Sequence, residues 1–374
     1  MSDKSGSDFG ASPSTGDGQL TPEAVRQALD TFKDPEAGRS IVQLGQVHDL
    51  RVEGNRVFVT LGLTTYSAAL WKETEAELAD HLRARLPKEA DVSVRLAVHP
   101  RPAEKIGQLG LAAKSVLAVG SGKGGVGKST IAAILAYGLT RAGSQVGLLD
   151  ADVYGPSIPH LIGASERPYV ADGKIQPVRV DGLTVMSMGF LVPPGEAVLW
   201  RGPMLHGAIT QFLRDTDWGD LDYLIIDMPP GTGDVALSLS QLLPLSGAIV
   251  VCTPQDVALL DAVKAIAMFR KVNLEVVGMV ENMSYFICPH CQSRHEIFGS
   301  GGARQKAAEL SVPFLGEVPL NTQLRICGDE GRVGASFQDA SSGPYLEALC
   351  HHLVKTLVNS RRKAPPMPSL TVLG

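Results

Sequence analysis

Gly122-Lys123-Gly124-Gly125-Val126-Gly127-Lys128-Ser129 satisfies the pattern G-x-x-x-x-G-K-[ST] at every defined position. Its flanks fit as well. The apolar run Val116–Val119 precedes it, and Ile131, Leu135 and Leu139 follow at helical spacing. Strand, glycine turn and helix in direct succession form a cradle for phosphate. The glycines let backbone N–H groups turn inward, and the helix amino terminus adds its positive end. Lys128 is expected to reach the β- and γ-phosphates, and the Ser129 hydroxyl to ligate Mg²⁺. The nucleotide-binding set is then Gly122 through Ser129 with Thr130. An overlapping run, Gly120-Ser121-Gly122-Lys123-Gly124-Gly125, also fits the dinucleotide pattern G-x-G-x-x-G. A dinucleotide site has no need of the Lys128-Ser129 pair, so the triphosphate reading is preferred.

With 374 residues the chain is long enough for two domains. Residues 1–19, rich in Ser, Gly and Asp, read as a disordered tail without the apolar segment of a secretory signal. Residues 20–99 read as a small α+β domain. Thr21-Pro22 starts a helix, a hairpin turns at Glu53-Gly54-Asn55, a helix spans Leu70 to Leu86, and Val92, Val94 and Leu96 mark a strand. Residues 100–112, with Pro100, Pro102, Gly107 and Gly110, read as a linker. Residues 113–358 alternate apolar strands with helices, and 359–374 read as a flexible tail. Strands are expected at Val116–Val119, Val146–Leu149, Tyr223–Ile226, Ala248–Cys252, Val276–Val280 and Phe314–Val318. The predicted fold is α/β: a P-loop NTPase with a mainly parallel sheet covered by helices on both faces, preceded by the small α+β domain. A net charge of −5 argues against general nucleic-acid binding. No apolar run approaches the ~20 residues that span a bilayer, and no amphipathic membrane helix is legible. A cytoplasmic location without nucleic-acid or membrane partners is therefore expected.

Carboxylates fall where such a sheet needs them. Leu148-Leu149-Asp150-Ala151-Asp152 and Tyr223-Leu224-Ile225-Ile226-Asp227 are apolar strands ending in aspartate, at the carboxyl edge beside the phosphate loop. A buried carboxylate there is compensated by Mg²⁺. The run Met228-Pro229-Pro230-Gly231-Thr232-Gly233-Asp234 stiffens the strand exit and then frees it, as suits a loop that senses the γ-phosphate. Asn282, at the end of a further strand, carries a donor and an acceptor that suit an adenine edge, and could equally be a turn residue.

The five cysteines contain one close pair, Cys288-Pro289-His290-Cys291. C-x-x-C converges two thiolates on one soft metal. A cubane cluster or tetrahedral zinc takes four ligands, so two chains giving two each is an economical solution. On this chemistry cluster and zinc stand level, with His290 or His295 as further zinc ligands and a redox dithiol as a third reading. Cys252 reads as core packing, and Cys327 and Cys350 as structural.

Lys123 inside the loop resembles the second lysine of the MinD-like ATPases, where it reaches the partner subunit's nucleotide. That likeness implies a nucleotide-sandwich homodimer. Further segments follow in one order. They are Asp150-Ala151-Asp152-Val153-Tyr154-Gly155-Pro156-Ser157, Trp200-Arg201-Gly202-Pro203-Met204, the Asp227 loop, and Glu281-Asn282-Met283-Ser284-Tyr285 with the cysteine pair. As a set they resemble the Mrp (ApbC) family of iron–sulfur cluster carriers over roughly residues 105 to 355. The resemblance implies ATP, Mg²⁺ and a 4Fe–4S cluster that Cys288 and Cys291 bridge between two subunits. It also implies slow ATP hydrolysis coupled to taking a cluster from donors and delivering it to apo iron–sulfur proteins. Lys123, Lys128, Asp152 and Asp227 become the catalytic set. Asp227 takes the magnesium-side role and Asp152 positions the attacking water, while Ser129 and Asp150 serve Mg²⁺ and Asn282 reads the base. Asp34-Pro35-Glu36 leading to Ile41-Val42-Gln43-Leu44-Gly45 resembles the small domain often fused to Mrp proteins. That domain usually has a cysteine after its Thr-Thr pair, whereas Thr64-Thr65-Tyr66-Ser67-Ala68-Ala69 has none, so partner docking is expected of it in place of thiol chemistry. A MinD- or ParA-type spatial organiser, an electron carrier like the nitrogenase iron protein and a zinc-stapled ATPase dimer are the competing readings.

Overall fold

A computed structural model describes residues 20–153, 155–191, 202–231, 233–288, 290–291 and 293–363. The expected tail 1–19 lies outside them, as do Tyr154, Trp200, Arg201, Thr232, Pro289 and residues 364–374. The described chain forms two compact units, 1–62 with 72–97, and 63–71 with 98–374.

In the first unit α1 (Pro22–Asp30) starts where Thr21 accepts a hydrogen bond from Ala24 N–H and Pro22 fixes the first helical φ. Strands β1 (Val47–Glu53), β2 (Arg56–Leu63) and β3 (Asp91–Val98) form a three-stranded sheet, with α2 (Trp71–Arg83) between the last two. Val57, Val59 and Leu61 alternate inward. Asp34 of the Asp-Pro-Glu marker is a structural staple. Its carboxylate accepts from Glu36 N–H, Ala37 N–H and the Gln46 amide.

The second unit contains the segment 63–71, although its neighbours on both sides in sequence belong to the first. Tyr66 is fully buried, stacked on Tyr223 at 4.7 Å, and its hydroxyl meets Ser115 Oγ at 3.0 Å. Two chain stretches expected as linker and tail are structured. Lys105–Ile106 (β4) pairs with β5 (Leu111–Gly120), which begins before the expected Val116. The last helix, which becomes α10 below, continues to Lys363, past the boundary at 358. The reason is a local anchor: the Arg361 guanidinium lies 4.1 Å over the Tyr66 ring and donates to Ser115 Oγ and the Lys114 carbonyl.

After β5 come α3 (Lys128–Ala142), β6 (Val146–Asp150), α4 (Ile158–Leu161), β7 (Tyr169–Ala171), β8 (Lys174–Gln176), β9 (Val178–Val180) and β10 (Leu183–Ser187). Then follow α5 (Gly202–Asp215), β11 (Leu221–Asp227), α6 (Gly233–Leu242), β12 (Gly247–Cys252), α7 (Asp256–Lys271), β13 (Val276–Ile287) and β14 (Arg294–His295). The chain closes with α8 (Gly302–Glu309), β15 (Phe314–Leu320), α9 (Thr322–Asp329) and α10 (Gly343–Lys363). Strands β10, β6, β11, β5, β12, β13 and β15 lie side by side and parallel, with antiparallel β9 and β14 added at the margins. The sequence reading missed β10, whose polar Thr184 and Ser187 interrupt the apolar signal.

The parallel strands are apolar throughout because both faces are covered. Leu117, Val119, Leu148 and Ile225 enter one core with α3 and α10; Val116, Ala118, Leu149 and Ile226 enter the other with α5, α6 and α7. Helix α3 is buried nearly all round, which its run of Ile, Leu and Ala permits. Gly138 is required by close packing: a Cβ there would lie 2.2 Å from Cys350 Sγ and 2.8 Å from the Phe337 ring. Gly138→Ala is expected to destabilise this unit by about 1–3 kcal/mol. Thermal unfolding reads the loss, and adding Cys350→Ala recovers part of it.

Candidate functional site

The phosphate loop leaves β5 between β11 and β12, so three strand ends converge around it. Ser121 Oγ donates to the Lys123 carbonyl at 2.9 Å and fixes the first turn, while Gly231 N–H donates to the Ser121 carbonyl and ties in the loop after β11. Gly124 and Gly125 are exposed, Val126 is buried, and Lys123 and Ser129 are half-buried. Gly127 sits at φ +80° directly against Asn282, where a Cβ would lie 2.2 Å from Nδ2.

Parallel pairing of Asp227 with Asp150 in register brings the two strand-end carboxylates together beneath the loop. Lys128 Nζ lies 2.5 Å from Asp227 Oδ1, 3.1 Å from Ser129 Oγ and 3.8 Å from Asp152 Oδ2. The structure thus unites Lys128, Ser129, Asp152 and Asp227, which come from three separate stretches of sequence. Asp227 is fully buried and its Oδ2 has no hydrogen-bond partner. Burial holds its pKa above the usual carboxylate range, against the opposing pull of Lys128. Asp150 is also raised, chiefly by burial and then by the Asp227 charge. Its oxygens are already acceptors for Asp152 N–H, Ile158 N–H and Ser187 Oγ. That pattern makes Asp150 an anchor for the loop carrying Asp152. The orphaned Asp227 oxygen beside Ser129 is the kind of single carboxylate donor that a hydrated divalent cation takes up together with a triphosphate.

Asn282 lies within β13, which runs on to Ile287, beyond the expected strand Val276–Val280. Its Nδ2 donates to the Val126 carbonyl at 2.9 Å. Beside it opens a cleft of about 500 Å³ lined by Gly127, Thr130, Asn282, Met283, Phe286 and Pro319 among others. Sequence reasoning missed Glu281 as a structural partner. This fully buried carboxylate accepts from Gly301 N–H and Ala303 N–H at the start of α8, and from Ser284 Oγ. Nothing local in the sequence links residue 281 to 301.

Cys288 and Cys291 occupy the tip of a hairpin. Phe286 pairs with His295 and Ile287 with Arg294, and Cys288 N–H donates to the Ser293 carbonyl at 3.0 Å. Cys291 is exposed, and its hydrogen bond with Ser293 draws its thiol below the ordinary pKa. Cys252, Cys327 and Cys350 are buried, with burial pushing Cys252 and Cys350 up to about 12. Reactive thiols therefore concentrate at the hairpin. Among the described residues, no group of three or more His, Cys, Asp or Glu is arranged to hold a metal.

A phosphate loop at the switch of a parallel sheet, with lysine and aspartates beneath it, defines a nucleotide-binding protein of the P-loop NTPase class. Residues 112–355 match the family described as NUBPL iron-transfer P-loop NTPase, of the ParA type, and the chain belongs to that family. Residues 22–96 match the family described as iron–sulfur cluster assembly protein. The "iron-sulfur cluster carrier protein" of Deinococcus radiodurans is 46% identical over 311 residues, 83% of this chain and 87% of the relative. The "iron-sulfur cluster transfer protein NUBPL" of Dictyostelium discoideum is 49% identical over 248 residues, 65% of this chain and 77% of the relative. A nucleotide-binding protein from Archaeoglobus fulgidus, solved in complex with ADP, is 42% identical with a TM-score of 0.54, covering 60% of this chain and 88% of its own. No helix among the described residues is long and apolar enough to cross a membrane.

Proposed function

We propose that this protein is an ATP-hydrolysing carrier that takes a 4Fe–4S cluster from donor proteins and delivers it to apo iron–sulfur proteins in the cytoplasm. The observation that carries the reading is the concentration of accessible thiols at one hairpin, joined by strand β13 to the phosphate loop. Two thiolates leave two of a cubane's four positions to be filled. A homodimer in which each subunit gives Cys288 and Cys291 fills them.

ATP lies with its phosphates on the 122–129 loop. Lys128 swings from Asp227 toward the β- and γ-phosphates, Ser129 and the freed Asp227 carboxylate hold Mg²⁺, and Asp150 keeps the neighbouring loop in place. Mg²⁺ supplies charge neutralisation of the phosphates. Asp152 orients the attacking water, and Lys123 reaches the partner subunit's nucleotide across the dimer. The base enters the cleft beside Asn282. There Nδ2 is committed to Val126, and the amide oxygen is available to an adenine amino group.

The test is anaerobic reconstitution with iron and sulfide, read by visible and Mössbauer spectroscopy, on wild type, Cys288→Ala and Cys291→Ala. About one 4Fe–4S cluster per dimer is expected in wild type, and none in either variant. Zinc at these cysteines and no cluster would overturn the reading.

A further inference from the structure

Strand β13 carries two functions that the fold brings within a few residues of each other. Its middle touches the phosphate loop through Asn282, and its end becomes the hairpin that presents Cys288. Between them the strand is irregular. Met283 has φ +55°, and pairing with β15 shifts register between Asn282 and Phe286. A bulge of this kind re-aims the side chains that follow it. Met283 and Phe286 line the cleft together with Gly127 and Thr130. Phe286 is also the first residue of the hairpin ladder. It pairs with His295, its neighbour Ile287 pairs with Arg294, and Cys288 N–H closes onto the Ser293 carbonyl.

We propose that Phe286 is the positioning residue through which the base of a bound purine nucleotide sets the geometry of Cys288 and Cys291. This rests on the reading above that the phosphate loop binds ATP or ADP. The cleft adjoins the loop at Gly127 and Thr130, and about 500 Å³ is ample for a nucleoside. A base seated there packs on one side of Phe286. Two residues further along a hydrogen-bonded hairpin is the first thiol, with little slack to absorb a shift. Upstream, Glu281 pins the strand to the start of α8, so displacement at Phe286 is transmitted toward the cysteines. The base therefore influences the thiols within one chain, by a route that does not need the γ-phosphate or the partner subunit.

The experiment uses the full metal-free protein and Mg–ADP, which carries the base and lacks the γ-phosphate. Alkylation rates of Cys288 and Cys291 by iodoacetamide are followed by mass spectrometry, with and without ADP at concentrations saturating each variant. ADP binding is measured separately by calorimetry. In wild type, ADP is expected to slow alkylation of Cys288 at least threefold. In Phe286→Ala the change falls to within 1.5-fold even at saturation, and Phe286→Leu, which keeps an apolar contact, recovers part of it. If Phe286 were only a wall of the cleft, saturation would restore the wild-type response in Phe286→Ala, and that result overturns the proposal. So does bound ADP without any effect on the wild-type thiols. Absence of ADP binding to wild type sinks the nucleotide reading and this proposal together. Failure to assemble a cluster in the separate iron and sulfide reconstitution sinks the carrier reading and leaves the thiol measurement intact.

Discussion

Lys128→Ala is expected to weaken ATP binding about 100-fold and to destabilise the metal-free protein by about 3–5 kcal/mol. The first figure follows from losing charge-assisted hydrogen bonds to the phosphates, each about 1.5–3 kcal/mol. The second follows from stranding Asp227, fully buried and 2.5 Å from Lys128 Nζ, without its cation. The sign of the pH dependence is fixed. The folded-state pKa of Asp227 is already raised by burial, and removing Lys128 raises it further. A raised carboxylate favours the folded state at low pH, and that advantage is lost as pH rises through the folded pKa. The variant's deficit against wild type is therefore larger at pH 8 than at pH 5. Denaturant unfolding at both values, with calorimetric titration of ATP, checks both effects. Adding Asp227→Asn to Lys128→Ala should return most of the stability and none of the nucleotide binding. A stable single variant that binds ATP normally would contradict the burial argument.

Asp227→Asn alone is expected to separate the two properties. It keeps the shape of the side chain and removes one of three neighbouring carboxylates. Stability of the metal-free protein should thus fall by less than in Lys128→Ala, because Lys128 keeps Asp152 as a counter-charge at 3.8 Å. Hydrolysis of ATP should fall by about 100-fold or more and lose its response to Mg²⁺, since an amide is a poor substitute for a carboxylate at a hard cation. Phosphate release across a magnesium titration reads this directly. Retention of magnesium-dependent turnover would remove Asp227 from the reacting site and leave it as a structural partner of Lys128.

These outcomes bear on how a nucleotide site is joined to a thiol site. Lys128, Ser129, Asp152 and Asp227 form one charge-crowded cluster beneath the loop, and a metal-bound triphosphate would rearrange it. Asn282 contacts the same loop from β13, which continues into the cysteine hairpin. The phosphate loop thus has a continuous covalent and hydrogen-bonded path to the cysteine hairpin. Cys252, Cys327 and Cys350 are buried in the core, and Cys252 Sγ donates to the Val280 carbonyl of β13.

The phosphate loop, the parallel-strand pattern around it, the aspartates at the strand ends and the cysteine pair are all legible in the order of residues alone. Each is a local signal: a glycine spacing, a run of apolar residues, a terminal carboxylate or two thiols three positions apart. That order also bounded strands to within two residues where apolar runs were short and distinct, as for β6 and β11. Which aspartates face the lysine emerges only from packing. Asp150 and Asp152 are two residues apart, yet Asp150 accepts from Ser187 Oγ and Ile158 N–H while Asp152 lies 3.8 Å from Lys128 Nζ. Likewise, no local pattern assigns Thr64–Leu70 to the nucleotide-binding unit, because the Tyr66–Tyr223–Arg361 stack joins residues far apart in sequence. The bulge at Met283 that turns Phe286 into the cleft depends on pairing with β15 and was equally hidden. Spacing along the chain encodes what neighbouring residues can do; partners supplied by distant strands and helices decide which of those capacities remain available.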